Sequence, residues 1–520
     1  MMLTLIKKEI NLCLLETRIQ ILLITVFSLT FVVTILDSYE YKDKFEKYLT
    51  ERNSSVDNLK KNQVYATIKP KLLKKPSELS IISKGVEDDM GDCVDFDYMN
   101  IPYTAYKVNK TNDYTSEFTN LDISKVLIWL ISLISIFISY DLVSRENESG
   151  TLKLNLVNKI SRNSLYLSKF IAACLLIFFI ITSILFIISL IYIISPWLII
   201  NYEILSRFLF LFITLFLFSL FFITAGLFFS VISKSSVQSL VFCLTLWVIL
   251  TIVIPSLIKL TIGNTNFTTE NKKIHASQNE IMQQYWSKND EAWTNYLNPL
   301  INDLKFCTFG GSPGWEPVLG ANPATKEAII KYYALLNPLK EKIANTKYEI
   351  ANREIIVPLK KKLKKLYTLS YLSPITSTDI ILMNISNTSY EDHFKFLDDA
   401  RVYRDAVLKY VQSKNGIYST RWFTPENDYY PFSANHPLCP TNVYKLTKTE
   451  LANLSKYYQG VENNSDFILD LGDFPQFKSP FRNYSDFIQD IWLYFVAICM
   501  PSIILLALGF SFMNKYNLDK

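Results

Sequence analysis

Residues 208–258 read FLFLFITLFLFSLFFITAGLFFSVISKSSVQSLVFCLTLWVILTIVIPSLI, and the only charged side chain in this stretch is that of Lys234. A helix needs roughly 20 apolar residues to cross the hydrocarbon core of a bilayer. The stretch is therefore long enough for two membrane-spanning helices, with Lys234 in a tight turn between them. This pattern predicts an integral membrane protein.

The same length criterion selects six segments of the 520-residue chain. We predict spans at residues 19–37, 123–143, 170–194, 208–233, 235–258 and 487–513. The first segment could also be a secretory signal peptide. No small-residue cleavage site follows it, and the polar run at residues 37–40 comes next, which favours a retained anchor. The predicted fold is mainly α, a polytopic membrane protein with six transmembrane helices.

The basic side chains of the short loops predict the orientation of the chain. Residues 1–18, the loop at 144–169, Lys234 and the tail at 514–520 all carry Lys or Arg, and all fall on one side of a six-span protein. Residues 195–206, within the predicted outer loop at 195–207, contain neither. Because short basic loops stay in the cytoplasm, we expect both termini to be cytoplasmic.

This topology places two large blocks, residues 38–122 and 259–486, outside the cytoplasm. Block one contains short β-like runs such as Gln63–Ile68, which predict a small mixed α/β module. Block two has apolar residues at helical spacing and predicts a larger, mainly helical extracytoplasmic domain. Its predicted helices are Asn271–Leu297, Thr325–Tyr367 and Asp392–Lys414, with Gly310–Trp315 as a loop between the first two.

Two cysteines of block two, Cys307 and Cys439, lie in polar sequence that would face an oxidising compartment. They could form a disulfide. Two unpaired thiols explain the sequence equally well, since spacing alone does not determine pairing.

The predicted spans have no ionisable side chain in their interiors. Transporters driven by an ion gradient usually keep such a residue at membrane depth, so an energy source outside the membrane is favoured. No glycine begins a G-x-x-x-x-G-K-[ST] loop, the phosphate-binding motif of many ATPases. If ATP drives this protein, we expect another polypeptide to bind it.

The chain has no zinc-protease motif and no paired-cysteine metal motif. It lacks HExxH and paired CxxC sequences, and its three histidines are far apart. The sequence therefore predicts no catalytic residue, no metal ligand and no cofactor bound by this chain. A net charge of +5 over 520 residues also gives no indication of nucleic-acid binding.

The loop after the second span carries the most specific pattern. Residues 145–152, RENESGTL, resemble the E-x-E-x-G-T-L signature that follows the second span in ABC-2 type permeases. Ser161, Arg162 and Lys169 resemble the continuation of that signature into span three, and Ile6–Ile10 with Arg18 resembles the amphipathic N-terminal helix of the family. In block two, Leu372–Pro374 and residues 393–404 resemble a subgroup with large extracytoplasmic insertions after span one and between spans five and six.

The resemblance implies a permease subunit of an ATP-driven exporter that works as a dimer, with an identical or a homologous second permease. ATP and Mg would be bound by a separate ABC ATPase subunit, and membrane lipid would surround the spans. The residues implied to couple to the ATPase are Arg145, Glu146, Glu148, Gly150, Thr151, Leu152, Ser161 and Arg162.

Two other interpretations stay open at this point. Read without the resemblance, residues 141–170 could be an interfacial helix without a partner. The whole chain could also be a membrane-anchored assembly protein, receptor or force transmitter whose extracytoplasmic blocks bind a partner. Six spans are more than an anchor needs, and this argues against the receptor.

Overall fold

The structure is a computed structural model of the full chain. It describes residues 2–106, 122–152, 161–198, 202–262, 267–297, 308–311, 316–319, 323–416, 449, 468–478, 482 and 484–515.

The described elements are overwhelmingly helical. The helices are α1 (Met2–Leu15), α2 (Thr17–Lys60), α3 (Glu87–Met90), α4 (Ile123–Ser139), α5 (Ser144–Glu148), α6 (Arg162–Ile194), α7 (Tyr202–Ile232), α8 (Ser236–Val248), α9 (Ile254–Ile262), α10 (Phe267–Ala292), α11 (Pro323–Ala351), α12 (Val357–Ser370), α13 (Pro374–Ile385), α14 (Tyr390–Ser413) and α15 (Tyr484–Asn514). Short π-helical turns follow α8, α10 and α11, and two 3₁₀ turns lie at Tyr65–Thr67 and Glu78–Ile81. The strands are β1 (Lys71–Leu73), β2 (Cys93–Asp95), β3 (Thr308–Gly311) and β4 (Glu316–Leu319), and they form two antiparallel pairs.

Six helical segments of the described chain are long and apolar enough to cross a membrane, which confirms the six predicted spans. They are Thr17–Lys60, Ile123–Glu148, Arg162–Ile194, Tyr202–Ile232, Ser236–Ile262 and Asp486–Asn514. Helix α7 lies at the centre of the bundle and packs against α4, α6, α8 and α15. The segment that contains α4 is the most enclosed, with 78% of its apolar window buried, whereas the α8–α9 segment has only 17% buried.

The first span does not end where its apolar sequence ends. Helix α2 continues without a break to Lys60, far beyond the predicted boundary at residue 37. The predicted β-like run Gln63–Ile68 is wrong, because Tyr65–Thr67 is a 3₁₀ turn and the strands of block one lie at β1 and β2. Alternating apolar residues in a short run also suit a turn whose side chains pack on one side.

The described part of block two is mainly helical, through α10, α11, α12 and α14, which is compatible with the prediction. The glycines at 310 and 311 belong to strand β3, which pairs with β4 in an antiparallel hairpin. The first two residues of the expected loop are therefore strand residues, and residues 312–315 lie outside the described residues. Helix α13 is buried in the same apolar core as the spans, where it packs against α7 and α15, so part of block two belongs to the bundle.

The two blocks share their apolar cores. Leu72 and Val94 of block one are buried together with Phe396 and Ala400 of α14. Arg404 of α14 reinforces this contact, because its guanidinium donates to the backbone oxygens of Asp97, Tyr98 and Asn100 at 3.0–3.2 Å. Blocks one and two therefore fold together outside the bundle. We call their combined folded part the outer domain.

A turn of block one docks on the connection between α13 and α14. The Val86 N–H donates to the Thr388 carbonyl oxygen at 3.0 Å, and the Thr388 hydroxyl donates to the Ser83 carbonyl oxygen at 3.0 Å. Gly85 between them has φ +53°, and a Cβ there would lie 2.3 Å from the Thr388 oxygen. Both the backbone conformation and the space require glycine at this position.

We predict that Gly85→Ala destabilises the protein by about 2–4 kcal/mol, since the left-handed conformation and the collision with Thr388 both cost free energy. The unfolding temperature of the purified protein in detergent measures the loss. Gly472→Ala is the matched control, because a Cβ there would meet only the Asp470 carboxylate, at 3.3 Å, and it should leave the unfolding temperature almost unchanged. Equal stability of the two variants would contradict this role of Gly85.

Candidate functional site

The loop predicted to carry the site begins at the end of the second span, next to α7 and α8. The Ser230 hydroxyl of α7 accepts from the backbone N–H groups of Val143 and Ser144, at 2.9 and 3.0 Å. The Ser239 hydroxyl of α8 donates to the Tyr140 carbonyl oxygen at 2.6 Å. These bonds satisfy backbone groups where the helix is interrupted between α4 and α5, and they fix the start of the loop.

Glu146 is held by two lysines. Its carboxylate lies 3.2 Å from the Lys169 ammonium of α6 and 3.6 Å from the Lys8 ammonium of α1. Lys169 is only 1% exposed, and it also donates to the Glu9 carboxylate of α1 at 3.1 Å. A cation removed from water is tolerated when carboxylates surround it. Lys169 therefore joins α1, α5 and α6 through two ion pairs made by one buried ammonium.

Arg145 lies in a second set of ion pairs beside the first. It pairs with Glu16, between α1 and α2, and its guanidinium lies 3.8 Å from Asp141. Arg18 of α2 contacts the same two carboxylates, at 2.8 Å for Glu16 and 3.3 Å for Asp141, and it donates to the Tyr140 hydroxyl. We call these residues together the basal cluster: Glu9, Glu16, Arg18, Asp141, Arg145, Glu146 and Lys169.

Glu148 binds the start of the fifth span. Its two carboxylate oxygens accept from the backbone N–H of Ser236 at 2.9 Å and from the Ser236 hydroxyl at 2.6 Å. Ser236 is the first residue of α8, where N–H groups have no partner within the helix and a negative charge is favourable. Glu148 belongs to α5, but its carboxylate therefore lies at the N-terminus of α8.

The residues after α5 form an exposed turn. Gly150 has φ +72°, and a Cβ there would have no neighbour within 4 Å. Ser149 and Thr151 are exposed beside it, with their hydroxyls 2.8 Å apart, whereas Leu152 is fully buried in the bundle core. Residues 149–151, which we call the exposed turn, are thus fixed at both ends and open on one side.

Ser161 and Arg162 lie at the start of α6. The Ser161 hydroxyl accepts from the Ser164 N–H at 3.1 Å and so caps the N-terminus of α6. Arg162 donates to the Asn514 carbonyl oxygen at 2.6 Å and so ties α6 to the end of the sixth span. Residues 153–160 lie outside the described residues, as do Cys307 and Cys439.

The charges of the basal cluster act on the thiol of Cys13, which lies on α1. Burial raises the pKa of its thiol to about 11, and the carboxylates of Asp141 and Glu9 act in the same direction. The thiol is therefore protonated at neutral pH and packs as a small apolar side chain.

Sequence reasoning missed part of this arrangement. It gave Lys169 and Glu9 only as members of resembling motifs, and it gave Glu16 and Asp141 no role. Three of the ion pairs join residues more than a hundred positions apart, namely Glu9 with Lys169, Glu16 with Arg145, and Arg18 with Asp141, and no local spacing indicates them. The available signal was chemical: charged side chains placed at the very ends of apolar spans, where an unpaired charge is costly.

Comparison with known proteins agrees with the topology. A family model described as ABC-2 family transporter protein matches residues 3–518, nearly the whole chain. No curated protein matches the chain.

We predict that Lys169→Met destabilises the protein by about 3–5 kcal/mol, because it removes the cation paired with Glu9 and leaves Glu146 only the exposed Lys8. Adding Glu9→Gln and Glu146→Gln should recover part of the loss. Lys8→Met is the matched control, since Lys8 contacts the same Glu146 from an exposed position, and it should cost less than about 1 kcal/mol. Unfolding temperatures in detergent compare the variants, and an equal loss for Lys8→Met and Lys169→Met would contradict the prediction.

Proposed function

Because the chain belongs to the ABC-2 family of transporter proteins, we propose that it is the permease subunit of an ATP-driven exporter. It is a multi-pass membrane protein with six helices able to span the bilayer. In this proposal both termini and the exposed turn face the cytoplasm, the outer domain faces the opposite side, and the membrane is the cell (inner) membrane.

The main observation behind the proposal is that both ends of the exposed turn are held by contacts with other helices. Its N-terminal end follows Glu146 and Glu148, which join it to α1, α6 and α8. Its C-terminal end is held by the buried side chain of Leu152. A push on residues 149–151 would therefore be passed to the N-terminal helix α1 and to the third and fifth spans together, as a coupling element requires.

We propose a division of labour among the predicted coupling residues. Gly150 and Thr151 contact the ATPase, since they are open on one side. Arg145, Glu146, Glu148, Leu152, Ser161 and Arg162 position the loop, since each has a partner within the chain. The ATPase is a separate subunit that binds ATP and Mg, and this chain binds no cofactor of its own.

A second permease, identical or homologous, completes the pathway in this proposal. The fifth and sixth spans are the least enclosed, with 17% and 22% of their apolar windows buried. Such faces need lipid or another apolar helix against them. Two six-span chains facing each other along these helices would enclose a path that neither forms alone.

The force-transmitting alternative has one observation in its favour. Helix α2 runs unbroken from the first span into the outer domain, where it packs on β1. A movement of the span would therefore reach the outer domain. ATPase coupling is common to both functions, and transport of a substrate distinguishes them.

The first experiment is purification of the chain together with the ATPase encoded by a neighbouring gene. We predict that Thr151→Arg abolishes association with the ATPase, because a long cation at the exposed turn would prevent a close contact. The permease should keep its unfolding temperature, since Thr151 is exposed. The measured quantities are the amount of ATPase that co-purifies and its rate of ATP hydrolysis.

Asn11→Arg is the matched control, since it adds the same side chain at an exposed position of α1 on the same side of the bundle. It should leave association intact. Normal association and ATP hydrolysis with Thr151→Arg would overturn the assignment of the exposed turn. Failure of every form of the chain, including the unmodified one, to retain an ATPase would overturn the permease function itself.

A further inference from the structure

A cavity of about 520 Å³ lies in the outer domain between α2, the strand β1 and residues 469–477. Its volume falls in the range of sites that bind small molecules. Its lining includes Arg52, Lys60, Lys71, Tyr403, Leu469 and Phe477.

The cavity has a largely apolar interior. Leu72 and Leu469 are buried, and both belong to the core that joins blocks one and two. The rings of Tyr403 and Phe477 pack edge to face with centroids 5.4 Å apart. Aromatic and aliphatic walls of this kind suit a hydrocarbon chain.

The walls are held in place before any ligand binds. The Tyr403 hydroxyl donates to the Pro475 carbonyl oxygen at 2.8 Å, and the Leu469 N–H donates to the Asn62 carbonyl oxygen at 2.9 Å. The segment 469–477 is therefore fixed both to α14 and to the end of α2. A preformed cavity loses little conformational freedom on binding, which favours affinity.

The charged side chains that line the cavity are all basic: Arg52, Lys60 and Lys71. Lys71 is paired with Glu51 at 2.9 Å, and Lys60 lies 3.8 Å from Asp57. Neither of these carboxylates lines the cavity. Arg52 has no ion pair within the described part of the chain, so the charge offered to a ligand is positive.

A neighbouring cavity of about 460 Å³ differs from the first cavity in the charges of its lining residues. It is lined by Glu51, Asp95 and Asp97 as well as by Lys69 and Lys71. Charges of both signs do not select an anion, and polar side chains predominate there. The combination of an apolar interior with basic side chains belongs to the first cavity.

The first cavity also lies well away from the bilayer. Tyr48 and Lys60 are 12 and 24 residues beyond Leu36, the last residue of the apolar run of α2, which corresponds to roughly 18 and 36 Å along a helix. Membrane lipid at its normal depth does not reach apolar side chains at this height. A ligand here must have left the bilayer.

We propose that this cavity binds an anionic amphiphile, a single acyl chain that ends in a carboxylate or a phosphate. The chain lies against Tyr403, Leu469 and Phe477, and the head group is bound by Arg52 and Lys60. This binding does not depend on the ATPase, so it stands apart from the proposed export function.

The test is photolabelling of the full-length chain in nanodiscs of zwitterionic phosphatidylcholine. The probe is dodecanoate with a diazirine at the end of its chain, and mass spectrometry locates the label. We expect label on residues 48–60 and 469–477 in addition to the spans. Unlabelled dodecanoate and a lysophosphatidate should both displace it from the cavity, and the concentrations at which they do so tell the two head groups apart. Dodecanol should be about tenfold weaker than dodecanoate.

Two pairs of variants make the test specific. Val56→Trp should remove cavity labelling by filling the space, whereas Asn53→Trp, on the same helix but outside the lining, should not. Arg52→Ala with Lys60→Ala should abolish the tenfold preference for the anion over dodecanol, whereas Lys47→Ala should preserve it. Labelling of the spans is the internal reference in every sample.

Three results would overturn the proposal. Label confined to the spans would show that the cavity does not take an acyl chain. Equal competition by dodecanol would remove the role of the basic side chains. Stronger displacement by an apolar peptide with a free carboxylate than by either lipid would assign the cavity to a peptide instead.

Discussion

The cytoplasmic half of the proposed mechanism depends on the ion pairs of Lys169 with Glu9 and Glu146. An ammonium that is 1% exposed would be unstable without negative partners, and the two it has come from different elements, Glu9 on α1 and Glu146 on α5. Each carboxylate also requires the lysine. The N-terminal helix, the loop after the second span and the third span are therefore mutually dependent.

At the opposite end of the bundle, buried cations also join separate elements through ion pairs with carboxylates. Lys84 of block one lies 3.0 Å from Asp37 and 2.7 Å from Glu40 on α2. Burial acts to lower its pKa, but these carboxylates raise it, so the side chain stays charged. Arg482, just before the sixth span, contacts Asp392 at 2.7 Å and the Asn384 side chain at 2.6 Å. A buried cation thus joins separate elements at each end, while the interior between them is apolar.

The sequence predicts what depends on one segment alone. Length and hydropathy identify the spans, and the residue pattern at 145–152 identifies the loop, because both are local properties. The sequence does not reveal that α2 continues to Lys60, since polar helix and polar turn look alike without the surface on which they pack. Nor does it indicate that Glu148 binds Ser236, because that pairing is created by the folding of two distant loops. The sequence predicts a loop at the glycines of β3 for a related reason. Pairing with β4, and not local composition, makes these residues a strand.

The unbroken length of α2 has a geometric consequence. A helix that begins at Thr17 and ends at Lys60 acts as a lever whose fulcrum lies in the membrane. About 36 Å of it extends beyond the apolar run, so a tilt of about 10° at the membrane would carry its far end sideways by roughly 6 Å. The wall that α2 contributes to the 520 Å³ cavity lies along this far section. A small rotation of one span is thereby amplified into a displacement comparable to the width of an acyl chain.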